Sequence, residues 1–257
     1  MPRPTESLID RITHRRALKL WRRAAGCAAA TDLDHLKAMR GQARALRREL
    51  DQVLHVADGR LALPLVGTNA MRRPIGADWL WRPSPWRGAI EPQGIAGAAS
   101  RSTFSAEVTL FHDCPLREAT LRQVRNSGAG DLAPFGLVLD LLGFEGSFLS
   151  LALDLPQEAV TGLKRRHILR VDAEITCERP CQIFARLNVK NGPNTEQFTE
   201  PLAGDAAALS AEFDLGFSKV DETRLERIWL DLSFETPAMN RIALRDLTMC
   251  RRPRAEI

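Results

Sequence analysis

The sequence predicts a mainly β protein: an antiparallel jelly-roll β-sandwich preceded by a basic α-helical hairpin. Three observations carry that expectation. Apolar residues recur at helical spacing through residues 1–60. Beyond residue 100 the apolar period changes from 3.6 to 2. Turn residues such as "GFEGS", "CERPC", "NGPN" and "ETPAMN" then separate many of the short strand candidates, with no long helix between them. The chain accordingly divides into a helical region (1–60), a Trp/Pro/Gly-rich connector that wraps the sandwich (61–99) and the sandwich itself (100–257).

Residues 5–28 read as the first helix, with Thr5 as its cap, Glu6 in its first turn and Gly26 as its stop. Ile9, Ile12, Leu20, Trp21 and Ala24 recur at helical spacing. On another face Arg11, Arg15, Lys19 and Arg22 form a stripe of four cations. Such a stripe can meet the phosphates of nucleic acid or an anionic membrane, but basic helix faces are usually just solvated, and neither partner is expected.

A second helix starts at Thr31 or Asp32 and runs to about Ala57. Leu36, Met39, Ala43, Leu46, Leu50, Val53 and Ala57 alternate by three and four, the spacing of a coiled-coil seam. Gly41 weakens the helix by about 1 kcal/mol relative to alanine. The plain expectation is a hairpin packed on itself or on the rest of the protein. The sharper one is a homo-oligomer joined through the seam.

At 257 residues, 44% apolar and 26% charged, the chain can bury a sizeable core. Its net charge of +4 is unevenly placed: residues 1–60 hold 13 Lys/Arg against 7 Asp/Glu, and residues 61–257 hold 23 against 25. No run of about 18 apolar residues suits a membrane span. The stretch "RRALKLWRRAAGCAAATDLDH" has no apolar core of an export signal, so a cytoplasmic location is expected. Five cysteines, an odd number in a chain too large to need staples, fit reduced thiols.

In the connector, "GADWLWRPSPWRG" holds Trp79, Trp81 and Trp86. The first two are two residues apart, so both rings project to one side of an extended strand, and "RPSP" forces a bend before the third. Covering the core or an edge is the expectation, with an open ligand platform as the alternative; in either case Arg82 and Arg87 are placed to stack on the rings. The strand candidates are 104–111, 118–124, 135–142, 147–155, 167–176, 182–189, 209–215, 226–234 and 241–249.

The closing pair, "RIWLDLSFETPAMNRIALRDLTM", resembles the final hairpin of galactose-binding-like jelly rolls, the fold of many carbohydrate-binding modules. The last strand there often reads apolar-x-apolar-x-Asp-apolar, here Ile242, Leu244, Asp246 and Leu247. The resemblance covers about residues 100–252 and implies the fold alone. "FHDCPL", "APFGL" and "FARLNVKNGPNTEQ" are similar to an uncharacterised bacterial family of unknown function, which implies no activity.

Subtracting the core face of each strand shows what is left for a surface. Ile228, Leu230, Leu232 and Phe234 leave Trp229, Asp231 and Ser233; Ile183, Ala185, Leu187 and Val189 leave Phe184, Arg186 and Asn188; Leu149, Leu151 and Leu153 leave Phe148, Ser150 and Ala152. Flat rings beside planar polar groups suit a sugar, whose apolar face stacks while its hydroxyls pair. Phe184, Arg186, Asn188, Trp229 and Asp231 are therefore the candidate ligand-binding residues. The competing expectation is a second small core beneath the helices or the tryptophan segment.

Other motifs carry less. In "FHDCP", His112 and Cys114 share a side of a strand with no third ligand or orienting group. "CERPC" brings Cys177 and Cys181 across a turn, within disulfide reach in oxidising conditions but without further zinc ligands. Asn188, Asn191, Asn194 and Glu196 could hold calcium, though Asn-Gly-Pro more often marks a turn. There is no P-loop, GxGxxG or GxSxG, and the carboxylates Asp231 and Glu235 have no identifiable partner. A non-catalytic binding or interaction module without cofactor or metal is expected, holding a glycan or a protein partner. The alternative is an oligomeric scaffold using the helical seam.

Overall fold

The computed structural model describes residues 8–61, 71–128 and 130–254, with side chains of the first stretch placed for 12–57. The expected cap at Thr5 and Glu6, the side chains of Ile9 and Arg11, and part of the connector lie outside the described residues. Two compact units emerge, Met1–Val53 and Leu54–Ile257.

In the first unit, helix α1 (Leu8–Cys27) passes through a 3-10 turn at Ala28–Ala30 into α2, which spans Leu33–Leu61 and so crosses the unit boundary. Asp32 caps α2, its Oδ1 accepting the His35 N–H at 2.9 Å. Every described side chain of this unit is half-buried or exposed. Leu36, Met39 and Ala43 are half-buried, whereas Leu46, Leu50 and Val53 are exposed. Arg15, Lys19 and Arg22 are exposed as well, as a solvated stripe requires.

The second unit is a jelly-roll-like sandwich of two antiparallel sheets. Its strands are β1 (Trp79–Trp81), β2 (Gly94–Ile95), β3 (Arg101–Thr103), β4 (Val108–His112), β5 (Ala119–Arg125), β6 (Phe135–Leu141), β7 (Leu149–Asp154), β8 (His167–Cys177), β9 (Ile183–Asn191), β10 (Asn194–Pro201), β11 (Ala203–Asp205), β12 (Ala208–Asp214), β13 (Leu225–Phe234) and β14 (Asn240–Pro253). One sheet runs β11-β12-β8-β14-β6-β5-β2, with β1 also paired to β14; the other runs β10-β9-β13-β7-β4-β3. Alternate residues of both sheets meet in one core, among them Leu137, Leu139, Leu151, Leu187, Leu230, Leu232 and Leu244.

Two features depart from the plain alternation. A bulge between Leu244 and Asp246 in β14 resets the phase, so that Ile242, Leu244, Leu247 and Met249 are all buried. This is why an aspartate precedes a core leucine in the closing strand. The second is β10, which pairs with β9 through the two-residue loop Gly192-Pro193. Gly192 has φ of +59°, a conformation that costs glycine nothing. The asparagine-rich stretch considered for calcium is thus this hairpin.

The tryptophan segment belongs to the sandwich. Trp79 and Trp81 stack, their centroids 6.3 Å apart and their planes 17° off parallel, because β1 projects both to one side. Pro83 and Pro85 then lead into the short helix α3 (Ser84–Arg87). Trp86 on it is fully buried, with Nε1 donating to the Leu244 carbonyl at 3.0 Å. Arg82, just after β1, pairs with Asp246.

Candidate functional site

The candidate residues from β9 and β13 fall on the outer face of the six-stranded sheet. Their core-facing neighbours Ile183, Ala185, Leu187, Val189, Ile228, Leu230, Leu232 and Phe234 are buried, and this fixes which side chains point outward. The register brings them side by side: Trp229 lies opposite Asn188, Asp231 opposite Arg186 and Ser233 opposite Phe184. All five predicted residues therefore share one surface.

Their polar groups converge on Asp231. Arg186 donates to its Oδ2 from Nη2 at 3.1 Å and Nε at 3.3 Å, and Asn188 Nδ2 donates to the same oxygen at 2.9 Å. Gln197 on β10 extends the chain, its Nε2 donating to Asn188 Oδ1 at 3.0 Å. Asp231 was expected to lack a partner. The structure corrects that, since the cross-strand register that no sequence pattern displays sets Arg186 directly opposite it. All three donors use Oδ2, so Oδ1 has no donor among the described residues. Asn188 is 1% exposed and the side chain of Asp231 10%, so both are buried, and the Arg186 side chain, 42% exposed, is the part of the cluster that reaches solvent.

Aromatic rings flank this cluster. Trp229 is half-buried, with the Arg227 guanidinium 5.3 Å from its centroid. Arg227 is itself held by Asp154, its Nε donating to Oδ1 at 3.1 Å. Along the next row, Phe184, Ser233, Ser150 and Phe111 stand on successive strands β9, β13, β7 and β4. Phe184 and Phe111 are thus about 14 Å apart by strand spacing. The Ser150 hydroxyl in that row is buried without a hydrogen-bond partner among the described residues. Phe148, just before β7, is 48% exposed.

Sequence reasoning missed Gln197, Arg227 and Phe111. Gln197 belongs to an edge strand with almost no apolar alternation, while Arg227 and Phe111 did lie on the outward positions of strands already read.

Two cavities are also present, one on the other sheet and one that reaches the site at Phe184. One of about 400 Å³ lies along the eight-stranded sheet, lined by Arg72, Arg82, Arg170, Glu174, Ser210 and Asp246 among others. Its charges largely satisfy one another: Arg82 holds Asp246, and Arg170 holds Asp172 at 2.7 Å. Glu174 sits opposite Asp246 in register, and burial together with that carboxylate pushes its carboxyl above the ordinary range. No aromatic side chain lines this cavity among the described residues. The second, about 520 Å³, is lined by Cys177, Cys181, Ile183, Phe184, Pro201 and Leu202 with their neighbours.

His112 and Cys114 are structural. Both ring nitrogens of His112 are engaged, Nε2 with the Ala98 carbonyl at 3.1 Å and Nδ1 accepting the Cys114 N–H at 3.2 Å.

Comparison with solved structures finds several carbohydrate-binding proteins. The family 11 carbohydrate-binding module of Clostridium thermocellum, in complex with a β-1,3-1,4-mixed-linked tetrasaccharide, aligns with a TM-score of 0.39 and 10% identity over 60% of this chain and 92% of that one. The CBM22-1 and GH10 modules of endo-1,4-β-D-xylanase 10B from the same organism, complexed with xylohexaose, align with 0.38 and 12% over 61% and 29%. The enzymatically active domain of tailspike protein 4 from bacteriophage CBA120 aligns with 0.39 and 5% over 56% and 19%, so the chain spans less than a third of these last two. No curated protein matches the chain in sequence. One family model matches residues 1–257, and the chain belongs to that family, DUF6478, a family of unknown function.

Proposed function

We propose that the sandwich is a non-catalytic binding module that holds a glycan on the outer face of its six-stranded sheet. The observation that supports this most is the junction of the Trp229 ring with the Gln197–Asn188–Asp231–Arg186 cluster. An aromatic ring offers a flat surface to the apolar side of a pyranose, and the Arg186 guanidinium and Gln197 amide, held from beneath by the buried Asp231 and Asn188, meet its hydroxyls without further loss of rotamer freedom. The charged cavity on the other sheet lacks the ring.

The reach of the aromatic row, about 14 Å from Phe184 to Phe111, favours an oligosaccharide over a single sugar. The test is titration calorimetry of the full chain against soluble glycans. One class binds, and Trp229→Ala weakens it by about 2 kcal/mol, some thirty-fold, with the unfolding midpoint little changed. A chain that binds none of the glycans, or a variant that loses several kcal/mol of stability, overturns the reading and makes Trp229 a core residue.

A second reading rests on the exposure of Leu46 (41%), Leu50 (52%) and Val53 (64%) at heptad positions of α2. Two copies of this helix could bury the seam against one another and make the protein a scaffold. Sedimentation velocity tests it: an oligomer that Leu46→Asp with Leu50→Asp dissolves supports the scaffold, and a monomer at every concentration removes it.

A further inference from the structure

The turn that carries the chain from one sheet to the other is flanked by two cysteines. Strand β8 ends at Cys177 in the eight-stranded sheet, and β9 starts at Ile183 in the six-stranded one. Between them Glu178, Arg179 and Pro180 turn the chain so that Cys177 and Cys181 flank the bend and line the same cavity. The turn is braced from outside, since Asn240 takes the Arg179 N–H on its Oδ1 and donates its own Nδ2 to the Arg179 carbonyl, both at 3.0 Å. Neither thiol is packed away as Cys114 and Cys250 are; both are half-buried and line the cavity of about 520 Å³. Cys181 Sγ also lies 3.1 Å from the Glu235 carbonyl, an acceptor that can hold its proton.

We infer that Cys177 and Cys181 form a thiol–disulfide exchange site at the rim of this cavity, whose co-reactant is a low-molecular-weight disulfide.

The two sulfurs have different parts. Cys177 is the attacking sulfur: the neighbouring Cys181 thiol favours its thiolate and holds its pKa below the ordinary thiol range. Cys181 resolves. The neighbouring Cys177 sulfur and then burial push its pKa well above that range, so it stays a thiol until Cys177 has reacted. In the first step the Cys177 thiolate attacks one sulfur of R–S–S–R; a protein–S–S–R bond forms, the R–S bond to the second sulfur breaks, and RS⁻ leaves with the electron pair and takes up a proton. In the second, Cys181 loses its proton and its thiolate attacks the Cys177 sulfur, forming the internal disulfide and releasing the other RS⁻. Two protein thiols are thereby oxidised by two electrons, and one disulfide is reduced to two thiols. The closed loop is only five residues long. It removes little chain entropy, so the bond remains open to reduction by free thiols.

The test incubates the folded full chain with oxidised glutathione and maps its peptides by mass spectrometry, with the exposed Cys27 as the reference thiol. The wild type is expected to yield a Cys177–Cys181 peptide short of two hydrogens. Cys181→Ser should stop at one glutathione on Cys177, and in Cys177→Ser the remaining Cys181 should react at least tenfold more slowly than Cys177 does in the first variant. Adducts on Cys27 while Cys177 stays unmodified would overturn the assignment. So would a first adduct on Cys181, or two separate adducts without an internal bond.

Discussion

Arg82 and Asp246 meet in a two-pronged ion pair, Nε to Oδ1 at 2.8 Å and Nη2 to Oδ2 at 2.7 Å, with the arginine side chain 1% exposed. The pair ties the tryptophan segment to the strand at the centre of the eight-stranded sheet, next to the bulge that turned Asp246 off the core face. Replacing Arg82 by Met leaves a buried carboxylate facing Glu174 and should cost about 3–5 kcal/mol in urea unfolding. Adding Asp246→Leu should recover most of that loss. A single variant within about 1 kcal/mol of wild type would show that water replaces the arginine.

Trp86 fills the sheet surface beside that pair and is fully buried. Trp86→Ala removes the ring and orphans the Leu244 carbonyl, so a loss of about 3–5 kcal/mol is expected. Trp79, only half-buried, should cost clearly less on the same assay.

Glu174 should make the protein more stable when its charge is removed. Burial and the facing Asp246 raise its carboxyl above the ordinary 4.5. The native state therefore binds the proton more tightly than the unfolded chain, and stability is lost as pH rises through that range. Glu174→Gln should melt higher than wild type at pH 7 and equal to it at pH 4. A difference of the same size at both pH values would assign the effect to packing.

His167 works in the opposite direction. Its Nδ1 accepts the Lys164 N–H at 3.0 Å, a bond that the imidazolium cannot keep. Burial first, and then Arg251, hold its pKa below the ordinary 6.5, against the pull of Asp78. The unfolded chain thus binds the proton more tightly, so stability falls as pH drops below about 6.5. His167→Asn, which retains an acceptor, should flatten the thermal midpoint between pH 7 and 5.5; an unchanged slope would place the titration elsewhere.

How far the site could be read from the sequence depended on alternation. Arg186, Asn188, Trp229 and Asp231 were legible because their strands bury every second residue, so the remainder had to share a face. Gln197 was not. β10 is an edge strand that contributes only the half-buried Phe198 to the core, and its alternation is polar on both sides. The very short β2, β3 and β11 were hidden for the related reason that two or three residues display no period.

By itself the sequence determined the sandwich, its core and the side of the strand that carries Trp79 and Trp81, since these follow from local periodicity and the pleat. Tertiary structure alone decided which strands are neighbours. Register set Arg186 against Asp231 and Glu174 against Asp246, and chain crossing brought Arg82 to Asp246 over 164 residues. Such pairings join distant segments through loop closure and core packing, and nothing in a local window encodes their partners.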